Sequence, residues 1–196
     1  MRVHIVYAHP SDGSFTHALL DAFQRGLTEA GHQSTVSDLY RMGFQPSLTP
    51  AEYLRESSHG VDWPVPDDVA AEQAELDAAQ VWTFVYPVWW TDCPAILKGW
   101  FDRVWTIGQA YHPTTLNQAD QALVLCAAGH TADHLRATGC YQAMETTMLT
   151  DRIAERAKAK RFVLFDGSEA LADDAWRRRR AEHLDAAHRL GRELAM

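Results

Sequence analysis

The chain carries 196 residues, of which 46% are apolar, 22% charged and 10% aromatic. That length suits one domain, residues 1–196, with a core large enough to stand without disulfide staples. The composition excludes a disordered chain, a collagen-like repeat and a coiled coil, and a net charge of −8 argues against a nucleic-acid partner.

In chain order, short apolar, β-branched runs alternate with helical patterns. Residues 3–8 read as a buried strand, and a helix follows from Phe15 through Leu19, Ala22, Phe23 and Leu27 to a stop near Gly31. Residues 33–37 form a weaker strand. Residues 41–68 hold Pro46, Pro50, Pro64 and Pro66 without a sustained period and read as a long irregular connection. A helix over 69–79 leads into a strong strand at 81–86. Pro94, at a plausible first helical position, precedes a helix carrying Ile96, Leu97, Trp100, Phe101, Val104 and Trp105. Residues 106–120 form a second irregular connection before a strand at 122–127. A helix over 142–159, a short strand at 162–165 and a last helix from Asp174 complete the chain. Near-continuous apolar strands fit a parallel sheet covered on both faces. Strict alternation predicts an α/β fold: a doubly wound three-layer sandwich around five parallel strands in the order 2-1-3-4-5.

Cys93, Cys126 and Cys140 include no CxxC pair, which points to a reduced, cytoplasmic setting rather than a disulfide framework. No apolar run approaches a bilayer span, so no membrane insertion is expected. The opening residues are too short and too interrupted, by His4, for a signal segment. Charge is unevenly spread: residues 152–196 hold 11 Lys/Arg against 8 Asp/Glu, with the densest cluster at Arg177–Arg180.

In an open parallel sheet, ligands bind beyond the C-terminal strand ends. Three tips lie there. The first, residues 9–16, offers His9, Ser11, Ser14, Thr16 and a helix N-terminus, suited to phosphate; an ordinary cap by Ser14 or Asp12 is the plainer alternative. Neither GxGxxG nor GxxxxGK[ST] is present. The second, residues 86–94, places Trp89 beside Trp90, a platform for a flat aromatic ligand or else a core plug and a dimer contact. The third, residues 127–134, brings small residues that allow close backbone approach. His130, Asp133 and His134 could face a metal, but without the Glu of HExxH they read better as surface residues, and no metal is expected.

At these loops the sequence resembles a known family. Val69-Ala70-Ala71-Glu72-Gln73, Pro87-Val88-Trp89-Trp90 and the run from Pro94-Ala95-Ile96-Leu97-Lys98-Gly99 to Trp100-Phe101-Asp102-Arg103-Val104 carry the likeness, with Gly108-Gln109-Ala110-Tyr111 after them. Ala8-His9-Pro10, Ser14-Phe15 and Ser37-Asp38-Leu39-Tyr40 agree in order and spacing. The chain is similar to the flavodoxin-like NAD(P)H:quinone oxidoreductases, the DT-diaphorase family with its short bacterial members. The likeness covers most of the chain and weakens after about residue 140 and over 47–66.

The resemblance implies a homodimer with one flavin per subunit, FAD or alternatively FMN, and NADPH or NADH as reductant. His9, Ser14, Phe15 and Thr16 would hold the phosphate end. Pro87, Val88, Trp89, Trp90 and Thr91 would lie along the isoalloxazine, and Ala127, Ala128, Gly129 and His130 at its pyrimidine side. Ala110, Tyr111 and His112 match the segment lining the substrate pocket, often supplied by the partner subunit. The expected activity is two-electron, ping-pong transfer of hydride from NAD(P)H to a quinone or similar acceptor, with Tyr111, His112 or Tyr141 donating to a quinone oxygen.

The chain departs from the family pattern where Ala127-Ala128-Gly129-His130 replaces Thr-Thr-Gly-Gly, and where Leu135 and Tyr141 stand in place of a Tyr and a His beside the flavin. Two alternatives follow. One is a regulatory flavoprotein subunit of a potassium-efflux-type transporter, docking through Arg177–Arg180. The other is a flavodoxin-like electron carrier, which the long 106–120 loop disfavours.

Overall fold

The computed structural model describes residues 1–194, so the last two residues of the expected 1–196 domain lie outside the described part. Five strands form one parallel sheet in the order β2-β1-β3-β4-β5, as the alternation predicted. They are β1 (Arg2–Tyr7), β2 (Gln33–Asp38), β3 (Val81–Pro87), β4 (Ala119–Ala127) and β5 (Ala157–Phe165). The helices are α1 (Phe15–Glu29), α2 (Pro50–Ser57), α3 (Asp67–Ala78), α4 (Ala95–Val104), α5 (Ala132–Ala137), α6 (Cys140–Thr146) and α7 (Asp173–Arg192).

Side chains alternate across the pleat and divide the core in two. Val3, Ile5 and Tyr7 of β1, with Val81 and Val85 of β3, pack under α1 and α7. Val6 and Ala8, with Trp82, Phe84 and Tyr86, pack under α3, α4 and the α5–α6 segment. On the first face α1 and α7 touch backbone to backbone. A Cβ on Gly26 would lie 2.0 Å from the His188 carbonyl oxygen, and one on Gly191 would lie 2.3 Å from that of Phe23.

On the second face the core holds charge. His4 is buried between β2 and α3, with Nδ1 2.9 Å from Thr35 Oγ1 and Nε2 3.4 Å from Ser37 Oγ. The buried Glu72 carboxylate accepts from Ser37 Oγ at 2.7 Å and from Trp100 Nε1 at 2.7 Å. Nearby, buried Arg103 donates to Glu52 at 2.7 Å, to Asp68 through both Nη atoms and to the Gln45 carbonyl, with its guanidinium over the Phe44 ring.

Four expectations need correction. The 41–68 connection is not wholly irregular: α2 stands within it, opened by a capping box in which Thr49 Oγ1 accepts from the Glu52 N–H and Glu52 accepts from the Thr49 N–H. Pro94 is the N-cap of α4, one position before the helix. The helix expected over 142–159 is instead α6, a π-helical segment Thr147–Ile153 and a 3₁₀ turn Ala154–Arg156. Gly139, at φ 79°, separates α6 from α5. β5 consequently begins at Ala157, five residues before the apolar run that announced it, because its early residues Lys158, Lys160 and Arg161 belong to an edge strand. Among the described residues, no helix is long and apolar enough to cross a membrane.

Candidate functional site

The first tip leaves the end of β1 and turns into α1. Ser14 is its N-cap, accepting from the His17 N–H at 3.0 Å. The N–H groups of Phe15 and Thr16, in the first turn, have no helical partner, and the helix dipole adds partial positive charge there. His17 Nδ1 and the Tyr7 hydroxyl are buried close by without a hydrogen-bond partner. The free N–H groups of the first turn, with the helix dipole behind them, suit an anionic ligand. The Ser11 N–H donates to His9 Nδ1 at 3.0 Å, and the His9 ring lies 6.1 Å from that of Trp89. Burial pushes the His9 imidazole below its usual range, so it stands neutral near pH 7. The Phe15 ring turns away toward α7, edge-on to Trp176 at 4.9 Å, and its contribution to this tip is its N–H.

The second tip is a two-residue hairpin. Trp89 and Asp92 exchange both backbone hydrogen bonds, at 2.9 and 3.1 Å, and the two residues between them have φ of 53° (Trp90) and 61° (Thr91). Such turns favour Asn-Gly, because a left-handed residue with a Cβ costs on the order of 1 kcal/mol. The turn projects Trp90 fully into solvent, at 101% relative exposure, and leaves Trp89 at 42%. Neither ring plugs the core, so the packing alternative for the pair fails on that count.

Asp92 is bound from below. Arg152, buried in the π-helical segment, donates to both carboxylate oxygens at 2.8 and 3.1 Å and to Cys93 Sγ at 3.3 Å. Its guanidinium lies 5.2 Å from the Phe101 ring centre, and its carbonyl accepts from Trp105 Nε1 at 2.7 Å. Burial alone would raise the Asp92 carboxyl, but Arg152 and the Cys93 N–H outweigh it and hold the group below the usual carboxylate range.

The third tip continues β4. The Val88 N–H donates to the Ala127 carbonyl at 2.7 Å, joining tips two and three. The carbonyls of Ala128, Gly129 and His130 accept from the backbone N–H groups of Ser168, Glu169, Ala170 and Gly167, which ties this tip to the turn after β5. The N–H groups of Gly129 and His130 make no hydrogen bond among the described residues. A Cβ on Gly129 would lie 2.8 Å from Glu169 Oε2, so a side chain there would have to displace the Glu169 carboxylate.

Tips two and three enclose a cavity of about 380 Å³, lined by Val88, Trp89, Trp90 and Thr91 on one side and Ala128, Gly129 and His130 on the other, with Leu135 and Glu169 closing it. Seven of the expected cofactor residues therefore share one cavity. Pro87 and Ala127 sit side by side in the strands beneath it. His130 stacks on His134 at 4.6 Å.

The expected catalytic residues are not gathered there. Ala110, Tyr111 and His112 line a different cavity of about 400 Å³, whose far wall is Ala154, Glu155 and Arg156. The Tyr111 hydroxyl donates to Glu56, which also accepts from the Ile107 N–H at 2.9 Å and pairs with Arg55. Burial, with the Glu56 carboxylate beside it, pushes the Tyr111 phenol up to about 12. Tyr141 lines neither cavity; it packs edge-on to Phe162 at 5.6 Å under the Arg136 guanidinium.

Sequence reading missed Glu56, Arg152 and Glu169. The Thr49-Pro50-Ala51-Glu52 capping signal could have announced the helix that carries Glu56. Nothing local marks Arg152, whose partner is 60 residues away. The Arg177–Arg180 cluster is partly engaged: Arg177 pairs with Asp174, Arg179 with Asp166 and Glu182, and Arg180 lies over Phe15.

The sheet order and the ligand-ready edge define a flavodoxin-like protein, and residues 1–187 match the family described as having the flavodoxin-like fold; the chain belongs to that family. The solved NAD(P)H:quinone oxidoreductase from Methanothermobacter marburgensis is 44% identical, with a TM-score of 0.93 over 100% of this chain and 96% of that one. Ribosyldihydronicotinamide dehydrogenase (quinone) of Homo sapiens is 33% identical over 156 residues, 70% of this chain and 68% of that protein. NAD(P)H dehydrogenase (quinone) 1 of Rattus norvegicus is 36% identical over 128 residues, 59% of this chain and 47% of that protein. The chain thus spans about half the length of some of the curated relatives that it matches.

Proposed function

We propose that the protein is a flavin-dependent NAD(P)H:quinone oxidoreductase, holding FAD or alternatively FMN across its three tips. One observation carries the reading. Gly129 and His130, whose N–H groups make no hydrogen bond among the described residues, line the same cavity as an outward-held Trp90, one strand over from a helix N-terminus with unpaired donors. Those features fit, in turn, the polar edge, the flat face and the phosphate of a flavin. The relatives named as NAD(P)H:quinone oxidoreductases point the same way.

When bound, flavin supplies two-electron chemistry, so that NAD(P)H, a proton and a quinone become NAD(P)⁺ and a hydroquinone in two half-reactions. The chain supplies binding and electrostatics. Ser14, Phe15 and Thr16 offer the first turn of α1 to phosphate, with His9 beside it. The Trp89–Thr91 hairpin orients the ring, and the Gly129 and His130 N–H groups favour negative charge on its polar edge. Ala110, Tyr111 and His112 form the substrate wall. Because that wall lines a separate cavity within one chain, a homodimer in which a partner lends it to the flavin pocket completes the reading. Tyr111, fixed to Glu56, then shapes the wall, and His112 is the freer donor to a quinone oxygen. A cytoplasmic setting agrees with three unpaired cysteines.

The test is to denature purified protein, identify the released cofactor, and measure menadione reduction with NADH and with NADPH, alongside mass by light scattering. Yellow protein that turns over with either nicotinamide as a dimer is expected. Colourless protein that takes up neither flavin overturns the reading.

A further inference from the structure

We propose that Arg152 is a positioning residue for the exposed aromatic platform: its two-point grip on Asp92 holds the Trp89–Asp92 hairpin in the turn that presents Trp90 to the cavity. Three observations converge on it. The hairpin carries side chains at both left-handed positions, so its own sequence does not select the turn and something outside must. The hairpin's two ends are gripped differently: Val88 is tied to β4 through its backbone, whereas Asp92 is held by the Arg152 fork, with the neighbouring Cys93 Sγ on the same guanidinium. Arg152 is itself immobilised, with the Phe101 ring against its guanidinium and Trp105 bonded to its carbonyl. It lies in a π-helical segment, a geometry uncommon enough to mark a place where backbone regularity is given up to aim a side chain. The aim of Trp90 is thus set through a residue that touches neither the ring nor the cavity.

What the platform holds rests on the flavin reading; that Arg152 orders the hairpin does not. The experiment therefore has two arms on the full-length chain. In the first, protein labelled with 5-fluorotryptophan is examined by fluorine NMR, the Trp90 resonance being assigned from Trp90→Phe. Arg152→Met should move and narrow that resonance as the ring becomes mobile. Arg152→Lys, which keeps the charge but not the fork, should fall between. An unchanged Trp90 signal in Arg152→Met overturns the proposal whatever the ligand.

In the second arm, FMN and FAD dissociation constants are measured by fluorescence for wild type, Arg152→Met, Trp90→Ala and the double variant, each checked for folding by circular dichroism. Arg152→Met should weaken flavin binding at least tenfold in the wild-type background and no more than twofold once Trp90 is already gone. Equal losses in both backgrounds would make Arg152 a general structural residue and refute the positioning role. Failure of the wild type to bind either flavin would instead refute the proposed function and leave the NMR arm to decide the hairpin.

Discussion

Acidification should find the protein's weak point at His4, far from the ligand edge. This imidazole is 1% exposed, faces Glu72 and Glu75 from α3, Thr35 and Ser37 from β2, and has Arg2 beside it on its own strand. Burial lowers its pKa from 6.5 to about 4, the Glu75 carboxylate pulling weakly the other way. Between those values the unfolded chain binds a proton that the folded chain refuses, so stability falls as pH drops from 6.5 toward 4. At roughly 1.4 kcal/mol per pH unit the full contribution is about 3 kcal/mol, and most of it is spent by pH 4.5. Glu72 acts in the opposite sense. Burial raises its carboxyl, so its proton favours the folded state on acidification and partly masks the histidine. The discriminating experiment is urea unfolding of wild type and His4→Gln from pH 7 to 4.5. The variant is expected to be less stable at pH 7, having lost a fitted ring, yet to lose about 2–3 kcal/mol less across the range. Parallel curves would mean that the folded and unfolded chains bind the His4 proton equally, so that burial does not shift the imidazole, and would refute the expectation.

Other outcomes follow from the same contacts. Trp90→Ala should leave the thermal midpoint within about 1 °C, since the ring is fully exposed, while weakening flavin binding by the roughly 1–3 kcal/mol typical of aromatic stacking on a nucleobase-like ring; calorimetry and fluorescence titration measure the two. Glu56→Gln should lower the Tyr111 phenol from about 12 toward the ordinary value, seen in a pH titration of ¹³C-labelled tyrosine; no movement would assign the shift to burial alone. Arg103→Met should cost about 3–5 kcal/mol in urea unfolding at pH 7 by stranding the buried Glu52 carboxylate. Adding Glu52→Gln to that variant should recover part of the loss.

What could be read from the chain alone was whatever is written locally. Runs such as 81–86, buried on both faces, and the α1 period are complete within a dozen residues, and strand alternation then fixes which ends gather. The second and third tips and the helix N-terminus were visible for the same reason, but not that the second tip closes as a hairpin, since neither left-handed position carries glycine or asparagine. The misses share a cause. α2 hides among four prolines, three of them outside it, and only its capping box gives it away. β5 begins in charge because an edge strand has one side in water. Glu56 and Arg152 act on partners 55 and 60 residues distant, and no window of sequence contains both members of either pair. Tyr141, placed near the flavin by resemblance, packs against Phe162 and Arg136 in the irregular stretch after Gly139, where the likeness thins.

The crossing of α1 and α7 at Gly26 and Gly191 has a bearing on how this protein can be cut and changed. Backbone meets backbone there, so neither helix can rotate or slide without displacing the other, and the direction in which α1 points its first turn is decided eleven residues downstream of Phe15. A chain truncated before Asp173 would retain every residue of the three tips and still lose the brace that aims one of them. Substitution is constrained in the same way: a methyl group at either glycine pries the pair apart, and a second change elsewhere on the crossing cannot easily restore it. The terminal helix, which supplies no lining to the cavity, is for that reason part of the machinery that keeps the cavity's edge in register.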